Sequence, residues 1–217
     1  DGFLTRLLPN QFLILAATIF TVLLIVNAMN FIDGVDGLAI SYSMLAVLGL
    51  NFVGGYSLET VAPILGSFFG FWLLNRPPAK IYLGDAGSGF IGVLLCYHLL
   101  LSPGIDGSWR VIFSSALILG FPLSDITMTV FRRVLTGRSP FHGDHDHIHH
   151  KLLKVGLSEG QVSLVVGLVG FTCVAMGYIV AHSDDPSISI LALISISMFL
   201  ISQLGGLYYL EHKLSHL

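Results

Sequence analysis

Apolar runs of about membrane-spanning length dominate this chain, and three polar stretches interrupt them at their ends. A helix that crosses lipid takes about 20 mostly apolar residues, because its backbone amides must find partners inside the helix. Seven runs approach that length, near residues 11–30, 37–54, 59–75, 88–101, 110–131, 161–182 and 188–210. The fourth is short and starts in glycines, which predicts a tilted or broken span. Charged residues make up 11% of the 217 residues, about half the share of a soluble domain. The expected fold is an all-α integral membrane protein, a polytopic bundle of about seven transmembrane helices. A net charge of −3 gives no reason to expect a nucleic-acid partner. Cys96 and Cys173 lie inside apolar runs and read as small buried hydrophobes.

Sidedness follows from the basic residues. Threading seven spans places Arg76, Lys80, Arg132, Arg133, Arg138, Lys151, Lys154 and Lys213 on one side, with Arg6 and Arg110 on the other. The first side is then cytoplasmic. All three polar stretches fall there, although they played no part in setting the orientation.

The first stretch, Asn27 to Gly37, offers Asn27, Asn30, Asp33 and Asp36. On a helix, positions 30, 33 and 36 share a face. Such oxygens suit a hard cation or the hydroxyls of a sugar, or they form a turn that caps the next helix. The second, Asn75 to Gly89, sets Asp85 among small residues after Arg76, Lys80 and Tyr82. Exposed amides there favour phosphate and Asp85 favours a metal, while the alternative is a glycine-rich turn with Asp85 as helix cap. The third, Gly137 to Leu153, carries His142, His145, His147, His149 and His150 with Asp144 and Asp146. It reads as a transition-metal cluster, as donors to a pyrophosphate, or as a solvated loop.

Asp125 lies two turns before Arg132, about 10 Å inside that end of its span, so it faces the bundle or the site rather than lipid. Pro122 predicts a kink. His98 reads as a satisfied core histidine, and Gly66 and Gly70 as a helix-packing step.

Taken together, these residues resemble the polyprenyl-phosphate N-acetylhexosamine-1-phosphate transferase family, and within it the WecA-like branch, related to MraY. The resemblance rests on three motifs: Asn-Ala-Met-Asn-Phe-Ile-Asp-Gly-Val-Asp-Gly at 27–37, Pro78 to Ser88, and Ser139-Pro-Phe with His147-Ile-His-His150. It implies one transmembrane transferase domain over 1–217, with a cytoplasmic His-rich loop at 132–160. It implies an enzyme at the inner (plasma) membrane that takes a UDP-N-acetylhexosamine, transfers its sugar-1-phosphate to undecaprenyl phosphate and releases UMP. Mg²⁺ is the implied cofactor, with Mn²⁺ as a substitute, and a homodimer is one assembly it allows. Asp85 becomes the metal ligand, with Asn30 near the metal and diphosphate and Asp33 beside them. Asp36, Asn75 and Tyr82 match a uridine pocket, with Tyr82 stacking on the base. His147, His149 and His150 lie by the diphosphate or sugar, and Lys80 and Arg138 are further phosphate contacts.

Two departures qualify the match. Relatives carry an Asp-Asp pair in an earlier cytoplasmic loop, whereas the pair here, Asp184-Asp185, falls on the other side. The expectation is that upstream spans are missing and that this chain cannot complete the transfer alone. His145 also stands where relatives have Arg, which exchanges a permanent charge for a titrating one. Rival readings are a membrane metal-ion transporter with a His-rich loop, and an inactive homologue or subunit.

Overall fold

The computed structural model describes residues 4–5, 8–101, 109–135, 137, 139, 147–185, 187–188, 190–192 and 194–195. Among these the structure is helical, with no strand. The principal helices are α1 (Gln11–Ile32), α2 (Leu38–Gly54), α3 (Leu58–Asn75), α4 (Gly84–Leu100), α5 (Trp109–Ile118), α6 (Gly120–Leu135), α7 (Ile148–Lys154) and α8 (Glu159–His182). Helices α1, α3 and α8, of 22, 18 and 24 residues, are long and apolar enough to cross a membrane. Helices α5 and α6 meet at a 78° bend and, counted as one broken span, bring the number to four. The count of seven is therefore not reached among the described residues. Helices α2 and α4 have 17 residues each, and most of the run at 188–210 lies outside the described part.

Local chemistry sets the boundaries. Asn10 caps α1, its Oδ1 accepting from the Phe12 amide at 2.7 Å. Ser158 and Gln161 form a reciprocal capping box at the start of α8, which satisfies two amides a helix start leaves open. The bend between α5 and α6 falls one turn before Pro122. Proline has no N–H to give the carbonyl four residues back. That carbonyl, Ile118 O, accepts instead from the buried Tyr42 hydroxyl on α2 at 2.7 Å.

Helix α2 is the centre of the bundle, with eleven of its 17 residues buried, against four of 22 in α1. The core gathers Met29, Ile32, Leu38, Tyr42, Leu50, Ile91 and Phe121. Helix α1 packs most extensively on α4, and α8 on α5 and α2. The first contact needs Gly92, because a Cβ there would stand 2.6 Å from the Val26 backbone. Apolar side chains such as Phe12, Ile19 and Phe20 on α1 and Leu164, Leu168 and Phe171 on α8 face outward, as lipid-facing residues do. The Gly66 and Gly70 step does not pack as expected: a Cβ at either would meet nothing within 4 Å. Its spacing permits a close helix approach but does not supply a helix to make one.

Candidate active site at the polar end of the bundle

The connections α1–α2 and α3–α4, the end of α6, the start of α7 and the start of α8 gather at one end of the bundle. Asn30, on the last turn of α1, donates through Nδ2 to Asp85 Oδ1 at 3.0 Å and to Ser88 Oγ at 3.1 Å, both on α4. Asn75, the buried last residue of α3, accepts from the Gly37 amide at 3.2 Å and donates to Ile81 O at 2.8 Å. Asp36 Oδ2 accepts from the Ala79 amide at 2.7 Å, and its carbonyl accepts from Ser163 Oγ of α8 at 3.1 Å. Four hydrogen bonds thus join the first two polar stretches, since Asn30, Asn75 and Asp36 all bridge them.

Asp33 and Asp36 do not share a helical face with Asn30. Helix α1 ends at Ile32, Asp33 is its C-terminal cap residue, and Gly37 turns the chain with φ +75°. Neither aspartate caps α2, whose N-cap is Gly37 without a side-chain bond. Asp85 is not a cap either. The cap position of α4 is Leu83, and Asp85 sits exposed in the first turn, where the helix dipole favours negative charge.

Between the two connections lies a cavity of about 230 Å³, lined by Asp33, Asp36, Asn75, Tyr82, Gly84 and Glu159 among others. Tyr82 is 76% exposed, so its ring is open at the rim. Lys80 is exposed nearby. Glu159 is a site residue that the motifs did not flag. Its only sequence signal is an acidic residue in the first turn of a span that starts at the polar end. A larger, apolar cavity of about 340 Å³ lies elsewhere, between α1 and α4 around Ile14, Val22, Val93 and Cys96. It holds none of the hydrophilic groups described here. Burial pushes the Asp33 carboxyl up to about 6; the Gly84 amide opposes this and the Asp85 charge adds to it.

The end of the third stretch, from His147, packs over the first. His147 precedes α7, with Nδ1 3.0 Å from Asp125 Oδ2, and its ring lies 4.5 Å from that of Phe31 on α1. His149 is buried, lies parallel to His147 at 5.7 Å and, among the described residues, has no hydrogen-bond partner on either nitrogen. Its ring occupies the space beside Gly34 where a Cβ would be, so only glycine fits there. Burial, with the His150 charge, pushes His149 down to about 4, with Asp125 opposing and His147 adding. His150 is half-buried, 4.2 Å from His149. Arg138, His142, Asp144, His145 and Asp146 lie outside the described residues. His98 is buried with Nδ1 on Leu94 O at 3.0 Å, while its Nε2 has no hydrogen-bond partner among the described residues.

Residues 2–102 match the family model for glycosyl transferase family 4. The chain is 34% identical over 212 residues to a probable undecaprenyl-phosphate N-acetylglucosaminyl 1-phosphate transferase of Bacillus subtilis (strain 168), an alignment covering 94% of this chain and 59% of that protein. The chain belongs to glycosyl transferase family 4. This family 4 chain is also 33% identical to a decaprenyl-phosphate N-acetylglucosaminephosphotransferase of Mycobacterium tuberculosis, over 68% of its own length and 43% of that protein's. It is 27% identical to the undecaprenyl-phosphate alpha-N-acetylglucosaminyl 1-phosphate transferase of Escherichia coli (strain K12), over 84% and 53%. The family 4 chain thus spans about half the length of the curated relatives it matches.

The donor set of this family 4 site fits a hard divalent cation. Asp33 and Asp85 bring carboxylates together, with Asn30 turning its Nδ2 to Asp85 and Ser88, and the raised Asp33 reflects burial beside a second carboxylate, which a cation would relieve. Among the described residues no three of His, Cys, Asp and Glu converge to hold a metal. Two carboxylates, Asp33 and Asp85, would suit Mg²⁺, which takes one or two and draws the rest from phosphate and water.

Proposed function

We propose that this chain carries the nucleotide and metal site of a phosphoglycosyltransferase. The enzyme transfers N-acetylglucosamine-1-phosphate from UDP-N-acetylglucosamine to undecaprenyl phosphate at the cytoplasmic face of the plasma membrane. A phosphate oxygen of the lipid forms a bond to the β-phosphorus of the UDP-sugar. The bond from that phosphorus to the oxygen bridging to the α-phosphate breaks, and UMP leaves with the electron pair. One phosphoanhydride replaces another, so positioning and charge neutralisation carry the catalysis.

The observation that carries the reading is the Asn30 bridge to Asp85 and Ser88 beside a cavity rimmed by Tyr82. Two acidic connections and an open aromatic ring at the end of lipid-length helices suit a soluble nucleotide meeting a lipid substrate. Tyr82 offers a face to uracil, and Asp36 lies on the cavity wall, its Oδ2 tied to Ala79. Asp85 and Asp33, with Asn30, would hold Mg²⁺, which when bound neutralises phosphate charge. Asn75 holds the two connections together, so it shapes the pocket from behind. His147, His149 and His150 stack over the α1–α2 connection, where the diphosphate or sugar would lie. The test is UMP release by the full-length protein in lipid nanodiscs, given UDP-N-acetylglucosamine, undecaprenyl phosphate and Mg²⁺.

A further inference from the structure

Asp125 belongs to none of the three motifs, yet it is 2% exposed at the polar end of the bundle. Both its oxygens serve the start of α7. Oδ1 accepts from the Ile148 amide at 3.0 Å, and Oδ2 lies 3.0 Å from His147 Nδ1. Thr129 Oγ1, also on α6, is 3.4 Å from the same nitrogen. His147 makes no side-chain cap bond of its own, so Asp125 caps α7 from a different helix.

An ionised carboxylate only accepts hydrogen bonds. The nitrogen facing such a carboxylate carries a proton, and in the neutral ring the lone pair is then left at Nε2, on the side away from Asp125. Phe31 of α1 packs against the ring at 4.5 Å, and His149 of α7 lies parallel to it at 5.7 Å. These contacts fix the orientation of the ring before any ligand arrives, as for a histidine ligand oriented by an outer carboxylate.

We infer that Asp125 is a positioning residue that holds His147 with its proton on Nδ1, so that Nε2 accepts a hydrogen bond from a hydroxyl or amide of the bound sugar. The choice of sugar as donor rests on the transferase reading; the tautomer does not. Groups facing the pair are Thr129 from α6, Phe31 from α1, and His149 and His150 from α7. A neutral Nε2 lone pair repels phosphate oxygens and suits a donor.

The test uses ¹⁵N-histidine-labelled full-length protein in nanodiscs at pH 8, with the His147 signals assigned by their loss in His147→Gln. The wild type is expected to show His147 protonated on Nδ1. Asp125→Asn keeps an oxygen for the Ile148 amide and turns an N–H toward His147, so the proton is expected to move to Nε2. In the same variant, kcat/KM for UDP-N-acetylglucosamine is expected to fall tenfold or more while Mg²⁺-dependent UMP affinity stays within twofold. A wild-type proton on Nε2, an unchanged tautomer in Asp125→Asn, or an equal loss of UMP affinity would overturn the inference. A wild type with the Nδ1 proton but no UMP release would instead overturn the transferase reading alone.

Discussion

Asn30 and Asp85, 55 positions apart in sequence, meet at 3.0 Å where the end of α1 crosses the start of α4. The contact joins a carboxylate to an amide donor and occupies only one of the two carboxylate oxygens. If this pair frames the Mg²⁺ position, Asp85→Asn removes a ligand charge and lowers turnover roughly a hundredfold or more. Because Asp85 is exposed, the variant should melt within a few degrees of wild type. UMP release measured beside thermal unfolding separates the two effects, and near-normal release would remove Asp85 from the metal.

Tyr82 is open at the cavity rim. Stacking on a base is made equally in the ground and transition states, so its loss weakens binding rather than chemistry. Tyr82→Ala is expected to raise KM for the UDP-sugar about tenfold with kcat nearly unchanged, while Tyr82→Phe stays close to wild type. Steady-state kinetics decide, and an unaltered KM in Tyr82→Ala places the base elsewhere.

Asp33 gives a pH signature. Its folded carboxyl is raised to about 6 from the ordinary 3.8, so between those values the folded state binds the proton more tightly than the unfolded chain. Its stabilising contribution is fully present below pH 4 and lost as pH rises through 6. Without Mg²⁺, Asp33→Asn should therefore unfold at a higher temperature than wild type at pH 7.5, with the gap closing at pH 4. Melting curves in chelator at both pH values check this, and a variant less stable at pH 7.5 contradicts it.

Gly34 and His149 form a second steric pair. Gly34→Ala would push the buried His149 ring out of its place, so activity should fall at least tenfold, whereas Gly66→Ala, with open space around it, should be silent. His149 itself is held near 4 against an ordinary 6.5. Its neutral form is favoured by folding, so stability is lost as pH falls from 6.5 toward 4, by at most about 3 kcal/mol. His149→Phe should flatten that acid limb of the stability profile, as read by denaturant titration at pH 7 and pH 4.5.

The site's location was legible because Asn30, Asp85 and the histidines each sit where a lipid-length apolar run stops. Which of them touch was less so. Equal spacing suggested a shared helical face for Asn30, Asp33 and Asp36, but the helix ends at Ile32 and Gly37, at φ +75°, turns the chain. The Asp125–His147 bond joins residues 22 positions apart across a helix end, and no local pattern encodes such a pairing. Glu159 reaches the cavity only because α8 starts beside the α1–α2 connection. Pro122 did announce a break, but not its extent, 78°, nor that Tyr42, 76 positions away, would take the carbonyl of Ile118.

The most direct test of the account is UMP release by the full-length protein in nanodiscs. UDP-N-acetylglucosamine and undecaprenyl phosphate are supplied with Mg²⁺ or with chelator, for wild type and Asp85→Asn. The account predicts UMP formed one-for-one with lipid-linked sugar phosphate, abolished by chelator and reduced a hundredfold or more by the substitution. UMP release that is unchanged in chelator and in Asp85→Asn would contradict it.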